Sequence, residues 1–201
     1  MRHGRYITAI RRLALAAGAG AALAGALPAV ANADCPGGPV THPFEAFGDN
    51  ADYVAVPGGG FESGAAGWSL TGAQVVEGNE PFLASGTHSL EIEAGGEAVS
   101  PPVCVGGEYP TFRFFARRLT GTSRAGLSAS LRWVDLLGIA AESPAGTVPA
   151  SGDWAPSPAM RLGDTLPVWL GDSTLEVELV FRSSGESSWA IDDAYIDPYS
   201  R

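Results

Sequence analysis

Apolar and polar residues alternate in several short runs of the sequence, which is the pattern of β-strands with one buried face. In residues 89–93 a leucine and an isoleucine alternate with two glutamates. In residues 175–183 four apolar residues occupy every second position, and in residues 127–133 Leu, Ala, Leu and Trp alternate with Ser, Ser and Arg. Residues 111–119 place Phe112, Phe114 and Ala116 on one side and Arg113, Phe115 and Arg117 on the other.

Turn-forming residues separate these runs and indicate an all-β fold. Clusters of Gly, Pro, Asn and Ser lie between them, and no window has a sustained helical period. Further strands are predicted at residues 68–77, 98–105, 147–150, 159–162 and 189–196. About eight or nine short strands with frequent turns predict an antiparallel β-sandwich or barrel with little helix.

The first 33 residues have the three parts of a secretory signal peptide. Arginines at positions 2, 5, 11 and 12 precede an apolar run at residues 13–27, and Ala31-Asn32-Ala33 forms an A-x-A cleavage site. The apolar run is about 15 residues long, and a membrane span needs about 20. We therefore expect a secreted or extracytoplasmic protein, with an uncleaved N-terminal anchor as the alternative.

The remaining chain divides into an arm and one folded domain. Residues 34–57 are rich in Pro, Gly and Asp and carry isolated apolar residues, among them Phe44, Phe47 and Tyr53. This composition predicts an extended arm lying on the domain surface. Residues 58–201 contain the predicted strands and are long enough for one domain with its own core.

The charge of the chain excludes some partners. The formal net charge is −10, and removal of the four arginines in residues 1–33, which contain no Asp or Glu, takes it to −14. A surface this acidic repels phosphate backbones, so nucleic acid is an unfavourable partner. Its carboxylates are available to a hard cation such as calcium. After residue 33 no apolar run is long enough to span a membrane.

Two cysteines, Cys35 and Cys104, follow the signal peptide. In an exported protein such a pair is most simply a disulfide. Closing a loop of about 70 residues would stabilise the fold by roughly 4 kcal/mol in the chain-entropy model. The bridge would hold the arm against the strand that carries Cys104.

The sequence contains no pattern that favours catalysis. It lacks a G-x-S-x-G elbow, H-E-x-x-H and C-x-x-C, and no histidine follows His88, so Gly171-Asp172-Ser173 is interpreted as a turn. Two pairs of glutamates, 91 with 93 and 176 with 178, lie at i, i+2 and therefore share a strand face. The spacing of such a pair is close to the separation of the two catalytic carboxylates in glycosidases. Such pairs also keep the outer faces of sheets soluble, and we expect no enzyme activity.

Four short motifs, taken together, resemble those of a known family. They are Gly59-Gly60-Phe61-Glu62 followed by Trp68, Gly86-Thr87-His88-Ser89-Leu90, Gly152-Asp153-Trp154, and Trp189-Ala190-Ile191-Asp192-Asp193 with Ile196. Their order and spacing over about residues 58–198 resemble carbohydrate-binding modules of the cellulose- and xylan-binding type, within the galactose-binding-like superfamily.

The resemblance implies an antiparallel jelly-roll whose first and last strands are adjacent and are often tied by a structural calcium ion. Carried onto this chain, its ligands would be Glu62 and one of Asp192 or Asp193. The segment before Ser89 lacks a carboxylate that some relatives use; Glu80 or Asp49 would substitute, or the site would be empty. The alternative is that Glu62 caps a turn and the aspartates only solvate a strand edge.

For function, the resemblance implies a non-catalytic binding module for carbohydrate or another cell-envelope component. The alternative is a structural or protein-interaction domain without sugar recognition, and in either case we expect a monomer. Sugars stack on exposed aromatic rings, for which the candidates are Tyr109, Phe115, Trp169, Tyr195 and Tyr199. Trp68, Trp133, Trp154 and Trp189 are assigned to the core, and the aromatic content of 9% argues against a long polysaccharide cleft.

Overall fold

The computed structural model of the protein describes residues 38–83, 86–106, 111–122, 126–135, 137–161 and 174–197. The predicted signal peptide lies outside these residues. A single 3-10 turn, Glu45–Phe47, is the helical element of the described segments, and none of their helices is long and apolar enough to cross a bilayer.

The described chain is nearly all β, as the alternating pattern predicts. Its strands are β1 (Val54–Ala55), β2 (Ser69–Glu77), β3 (His88–Val99), β4 (Val103–Gly106), β5 (Thr111–Arg118), β6 (Leu127–Val134), β7 (Ala140–Val148), β8 (Ala155–Pro156), β9 (Met160–Arg161), β10 (Thr174–Ser183) and β11 (Trp189–Asp197).

These strands form a curled antiparallel sheet in the order β7-β6-β10-β3-β11-β5-β8. Strand β3 connects its two halves, because residues Leu90–Ile92 pair with β11 whereas Glu97–Val99 pair with β10. The other strands pair at the margins: β1 with β11, β2 with β3, β4 with β10 and β9 with β5. The result is an all-β sandwich of the jelly-roll kind.

The core lies between the two halves of the sheet. One half contributes Leu90, Phe114 and Ile191, and the other contributes Leu131 and Phe181, all with 0% exposure. The rings of Phe114 and Phe181 meet edge to face at 4.9 Å between centroids, so the two layers are in direct contact. These are the inward positions that the sequence pattern predicts.

Some strand boundaries differ from the prediction. Residues 98–105, predicted as one strand, belong to two, because Pro101 and Pro102 interrupt the ladder between Val99 and Val103. Proline has no N–H to donate, and it is rarely found inside a sheet. Of the short strand predicted at 147–150, only Thr147 and Val148 lie in a strand, as the end of the longer β7.

The arm builds a second, smaller core on the outer face of β5. Phe44 and Tyr53, which are 0% and 1% exposed, enclose Phe115 together with Ala51. Thr41 and Tyr53 form an antiparallel bridge, and β1 adds to the edge of β11. The arm is thus joined to the domain by side chains and by backbone pairing.

The glycine-rich turn that follows the arm lies against the last strand. Ala194 donates to the Gly59 carbonyl (3.2 Å), and Val56 donates to the Ala194 carbonyl (2.9 Å). A Cβ at position 59 would lie 3.0 Å from both the Ala194 and the Val56 oxygens, so only glycine fits there without a shift. The first and last parts of the domain are therefore adjacent, as the resemblance implies.

Candidate functional site

An acidic pocket lies where the glycine-rich turn meets β11. The register of β11 against β5 shifts between Asp192 and Tyr195, and Asp193 has a positive φ of 47°. This bulge turns the Asp193 carboxylate toward Gly60, whose Cβ position would be 3.0 Å from Asp193 Oδ1. Asp192, 1% exposed, accepts hydrogen bonds from the N–H groups of Asp193 (2.8 Å) and Glu80 (3.2 Å).

The electrostatics of this pocket disfavour two ionised aspartates. Burial, and then the charge of Asp193, raises the pKa of Asp192 to about 8. Burial, and then the charge of Glu80, raises the pKa of Asp193 to about 7. Within the described residues neither aspartate has an arginine or histidine in an ion pair. Buried carboxylates without a counter-charge are expected to bind a proton or a cation.

Among the described residues, two buried oxygen atoms in this region, Asp193 Oδ2 and Asn79 Oδ1, have no hydrogen-bond partner. Carboxylate and amide oxygens are the ligands that calcium prefers, so the residues present fit that ion chemically. The described residues contain no group of three or more His, Cys, Asp or Glu side chains already arranged around one point. A bound ion would therefore use the amide oxygen, backbone carbonyls and water besides carboxylates.

Glu62, the third predicted ligand, holds the start of β3. Its Oε1 accepts hydrogen bonds from the N–H groups of Thr87 and His88, both at 2.8 Å. These bonds, that of His88 first, lower the pKa of Glu62. The charge of Glu62 also acts on Asp193 and raises the pKa of that group. The structure thus brings the three predicted residues into one region, with Glu62 at its solvent-exposed side.

Glu80 joins this region by capping its own turn. Its side chain is 2% exposed and accepts hydrogen bonds from the N–H groups of Phe82 and Leu83. Asp49, the other suggested substitute, lies instead in the arm and pairs with Arg113 at 2.8 Å. Of the two alternatives, only Glu80 is therefore close to the aspartates.

The predicted sugar-stacking residues that the structure describes, Phe115 and Tyr195, are not fully exposed to solvent as expected. Phe115 was expected to be exposed, but it is 0% exposed, because the arm covers the outer face of β5 where its side chain points. Tyr195 is half-buried and meets the Phe44 ring edge to face at 5.9 Å. Tyr109, Trp169 and Tyr199 lie outside the described residues.

Two exposed aromatic rings that were not among the predicted sugar-stacking residues lie beside Phe115. Phe47 of the arm and Phe82 of the loop before β3 are 38% and 44% exposed, and their rings meet edge to face at 5.0 Å. Their centroids are 5.9 and 5.3 Å from the Phe115 ring. They are 35 positions apart in sequence and follow no periodic pattern, so only the fold reveals the pair.

A third aromatic residue, Trp154, lies on the same side of the sheet. It was assigned to the core, but it is half-buried and packs against the cluster of Phe44 and Phe115. The Arg117 guanidinium lies 5.0 Å from the centre of the Trp154 ring, and Arg117 Nε, although buried, has no hydrogen-bond partner in the described part of the chain. The other three assigned tryptophans, at 68, 133 and 189, are buried as predicted.

Polar side chains continue this face across the sheet. The registers pair Arg117 with Ala190, Ala190 with Glu91, and Glu91 with Gln74, so all four residues point to the same side. Glu91 is half-buried and Gln74 is exposed. The face therefore combines aromatic rings with a guanidinium, a carboxylate and an amide.

The outer face of the other half of the sheet carries an ion-pair network. Arg182 contacts Glu97 and Glu142, and Arg132 contacts Glu142 and, more distantly, Glu178. The outward residues of β6 and β10 have no aromatic ring: Ser128, Ser130, Arg132, Val134, Glu176, Glu178, Val180 and Arg182. Most of the charged groups on this face are neutralised by each other.

The predicted disulfide involves one described residue. Cys104 lies on β4 opposite Glu176 and is half-buried, and the described residues include no free cysteine. Cys35 lies outside the described residues, so the pairing stays a prediction.

The fold is a jelly-roll of the kind found in carbohydrate-binding modules. The CBM22-1 xylan-binding domain of Paenibacillus barcinonensis Xyn10C superimposes with a TM-score of 0.53 and 15% identity over 75% of this chain and 97% of that domain. The resemblance inferred from the four sequence motifs is thus confirmed at the level of the fold.

Two larger proteins contain the same fold. The enzymatically active domain of bacteriophage CBA120 tailspike protein 4 matches with a TM-score of 0.54 and 17% identity, over 72% of this chain but 21% of that one. The CBM22-1-GH10 modules of Clostridium thermocellum Xyn10B, solved with xylohexaose, match with a TM-score of 0.51 and 17% identity. The match covers 71% of this chain and 28% of that one. No family model and no curated protein matches the sequence.

Proposed function

We propose that the protein is an exported, non-catalytic module that binds carbohydrate. The observation that carries this proposal is the match to a whole xylan-binding domain, which this chain covers to 97%. An identity of 15% does not transfer the ligand, so the proposal also depends on the surface. Exposed aromatic rings beside unpaired polar groups are what a sugar-binding face requires.

The absence of catalysis is part of this proposal. The described residues include two histidines. His42 contacts Asp52 and His88 contacts Glu62, both on the exposed surface. Of the predicted carboxylate pairs, Glu178 faces Arg132 at 3.9 Å, and Glu91 shares its face with Arg117 through Ala190. These contacts do not form the pair of carboxyl groups that a glycosidase needs, in which one donates a proton and the other acts as a nucleophile or base.

Calcium is proposed as a structural ion of the acidic pocket. Asp193 Oδ2 and Asn79 Oδ1 supply buried oxygens without partners, and Asp192 and Glu62 supply further negative charge. An ion there would link the glycine-rich turn to β11 and stabilise the folded state by mass action. We also propose that the protein is exported and that Cys35 and Cys104 form a disulfide, because disulfides are stable outside the cytoplasm.

A second candidate is an interaction domain without sugar recognition. The β6–β7 hairpin favours it, because Val134, Leu137 and Ile139 at its tip are 58%, 82% and 59% exposed. Neighbouring apolar side chains with this exposure are typical of surfaces that bind other proteins. The first candidate is preferred because it accounts for both the fold and the aromatic face.

A glycan array decides between the two candidates. The purified protein, labelled and supplied with calcium, is applied to plant, fungal and bacterial glycans, with a heat-denatured sample as the control. The first candidate predicts selective binding to a related group of glycans. Silence on every glycan would exclude it and leave the interaction domain.

A further inference from the structure

We propose that the sugar-binding surface is assembled by the N-terminal arm: docking of the arm on β5 places Phe47 beside Phe82, and these rings form with Trp154 and Arg117 one platform for a neutral glycan. This inference rests on the proposed function and specifies its site. It concerns the outer face of β5, and not the opposite face with its ion pairs.

The arm is held in place by specific contacts. Arg113 Nη1 donates to Asp49 Oδ2 at 2.8 Å, and the Tyr53 hydroxyl donates to the same oxygen at 2.8 Å. The Arg113 guanidinium also lies 4.5 Å from the centre of the Phe44 ring, and its Nε and Nη2 donate to the Ser157 carbonyl. Because Arg113 is only 11% exposed, the pair with Asp49 is shielded from solvent.

The docked arm sets the position of Phe47. The 3-10 turn that carries Phe47 follows directly after Phe44, and Gly48 ends it in a left-handed conformation with φ of 80°. Phe44 is fully buried against Phe115, with ring centroids 5.2 Å apart. Burial of Phe44 therefore fixes the turn, and Phe47 projects beside Phe82 without being buried itself.

The aromatic pair and the Trp154–Arg117 pair flank the same residue. Both phenylalanine rings contact Phe115, and Trp154 packs against the cluster that includes Phe115. Arg117 is two residues further along β5, which separates the Cα atoms by about 7 Å on the same side of the strand. The Phe47–Phe82 pair beside Phe115 and the Trp154 ring beside Arg117 can therefore contact one sugar chain.

The polar groups of this face indicate the chemical class of the ligand. Arg117 Nε is a buried donor without a partner, and Glu91 and Gln74 extend the row across β3 and β2. A guanidinium, a carboxylate and an amide can bind sugar hydroxyls. Because the protein is strongly acidic, with a net charge of −10, a neutral glycan is favoured over a polyanionic one.

The test repeats the glycan array with single variants. We expect Phe82→Ala and Phe47→Ala each to weaken binding at least tenfold, since each removes one of the aromatic rings on which the sugar stacks. Trp154→Ala is expected to do the same, and its melting temperature reports whether it folds. Leu137→Ser, a substitution of an equally apolar and more exposed residue on the β6–β7 hairpin, is the control and should bind as the unaltered protein does.

The outcomes separate this inference from the proposed function. If the unaltered protein binds glycans and folded Phe82→Ala and Phe47→Ala bind within twofold of it, the platform is wrong while carbohydrate binding stands. If the unaltered protein binds no glycan, both fail. Loss of binding in the phenylalanine variants with retention in Leu137→Ser supports the platform.

Discussion

Asp193 shows how one residue carries both backbone geometry and charge. Its positive φ of 47° forms the bulge of β11, and its carboxylate, with one oxygen unpartnered, lies next to Asp192. Asn adopts this conformation more readily than most residues, so Asp193→Asn would remove the charge and preserve the bulge.

We predict that at pH 8, where Asp193 with its pKa of about 7 is mostly ionised, Asp193→Asn stabilises the metal-free protein by about 1 to 3 kcal/mol, because it removes a half-buried charge from beside two other carboxylates. The same variant should lose most of the rise in melting temperature that calcium gives the unaltered protein. Urea unfolding with and without calcium measures both effects. Equal calcium responses in the two proteins would contradict the ion site.

The pH dependence of the metal-free protein follows from the same pair. The pKa values of Asp192 and Asp193 are raised to about 8 and about 7 in the folded state, from 3.8. Between the unfolded-state pKa of 3.8 and the raised folded-state values, the folded protein binds more protons than the unfolded protein. The free energy of unfolding therefore falls as pH rises from about 4 to 8.

Urea unfolding in the presence of a chelator, at intervals from pH 5 to 8, checks this prediction. Saturating calcium should reduce the slope, since the ion replaces the protons. The matched control is Asp193→Asn, which should have a smaller slope than the unaltered protein. A stability that is constant or rises over this range would show that the two aspartates are not buried together as described.

Gly59 is the residue on which contact between the glycine-rich turn and β11 depends. Gly59→Ala would place a Cβ 3.0 Å from two backbone oxygens and 3.1 Å from the Ala194 Cβ. We expect a loss of about 1 to 3 kcal/mol in the free energy of unfolding. Gly152→Ala is the control, because its Cβ would meet nothing within 4 Å; equal effects in both variants would contradict the close contact.

The sequence predicts the residues of the acidic pocket but not the aromatic pair of Phe47 and Phe82. Glu62 and the aspartates could be brought together only because their motifs resemble those of modules with adjacent terminal strands. Phe47 and Phe82 have no motif and no period, and their contact depends on the arm folding back over Phe115. Sequence patterns report which face of a strand is buried, but they do not report what covers its other face.

At the scale of elements, the arm behaves as part of the domain. We predict that Phe44→Ala destabilises the protein by about 3 to 5 kcal/mol, since Phe44 is fully buried between Tyr53, Phe115 and Tyr195. Limited proteolysis should then cut the arm faster in this variant. Val40→Ala, in the same arm but 46% exposed, should change neither property; a similar result for both would mean that the arm is not docked.

The prediction of which strand positions are buried succeeded where only one face is covered, and it failed on β5, where both faces are covered. The inward residues of β3, β6 and β10 follow the predicted alternation, because one face of each strand lies against the core. On β5, Phe115 points outward and is still fully buried, since the arm adds a second layer. The division of residues 98–105 into two strands was present in the sequence as Pro101-Pro102.

At the scale of the whole molecule, the acidic pocket and the proposed sugar-binding face are neighbours, because Glu80 of the pocket accepts a hydrogen bond from the N–H group of Phe82. The acidic pocket links the beginning and the end of the domain, whereas the aromatic face lies on the outer side of β5 and is open to solvent at Phe47 and Phe82. Sequence motifs could predict the fold because they mark its first and last strands. They could not predict the proposed ligand face, which combines the arm, a loop, β5 and the segment leading into β8.

The most direct test of carbohydrate binding at this face is an NMR titration of the protein with the glycan that binds most strongly on the array. The indole N–H signals of the tryptophans are followed, and that of Trp154 is identified with Trp154→Phe. We predict that the Trp154 signal shifts in a saturable way while those of the buried Trp68 and Trp189 stay in place. Saturable binding that leaves the Trp154 signal unchanged would contradict the proposed site.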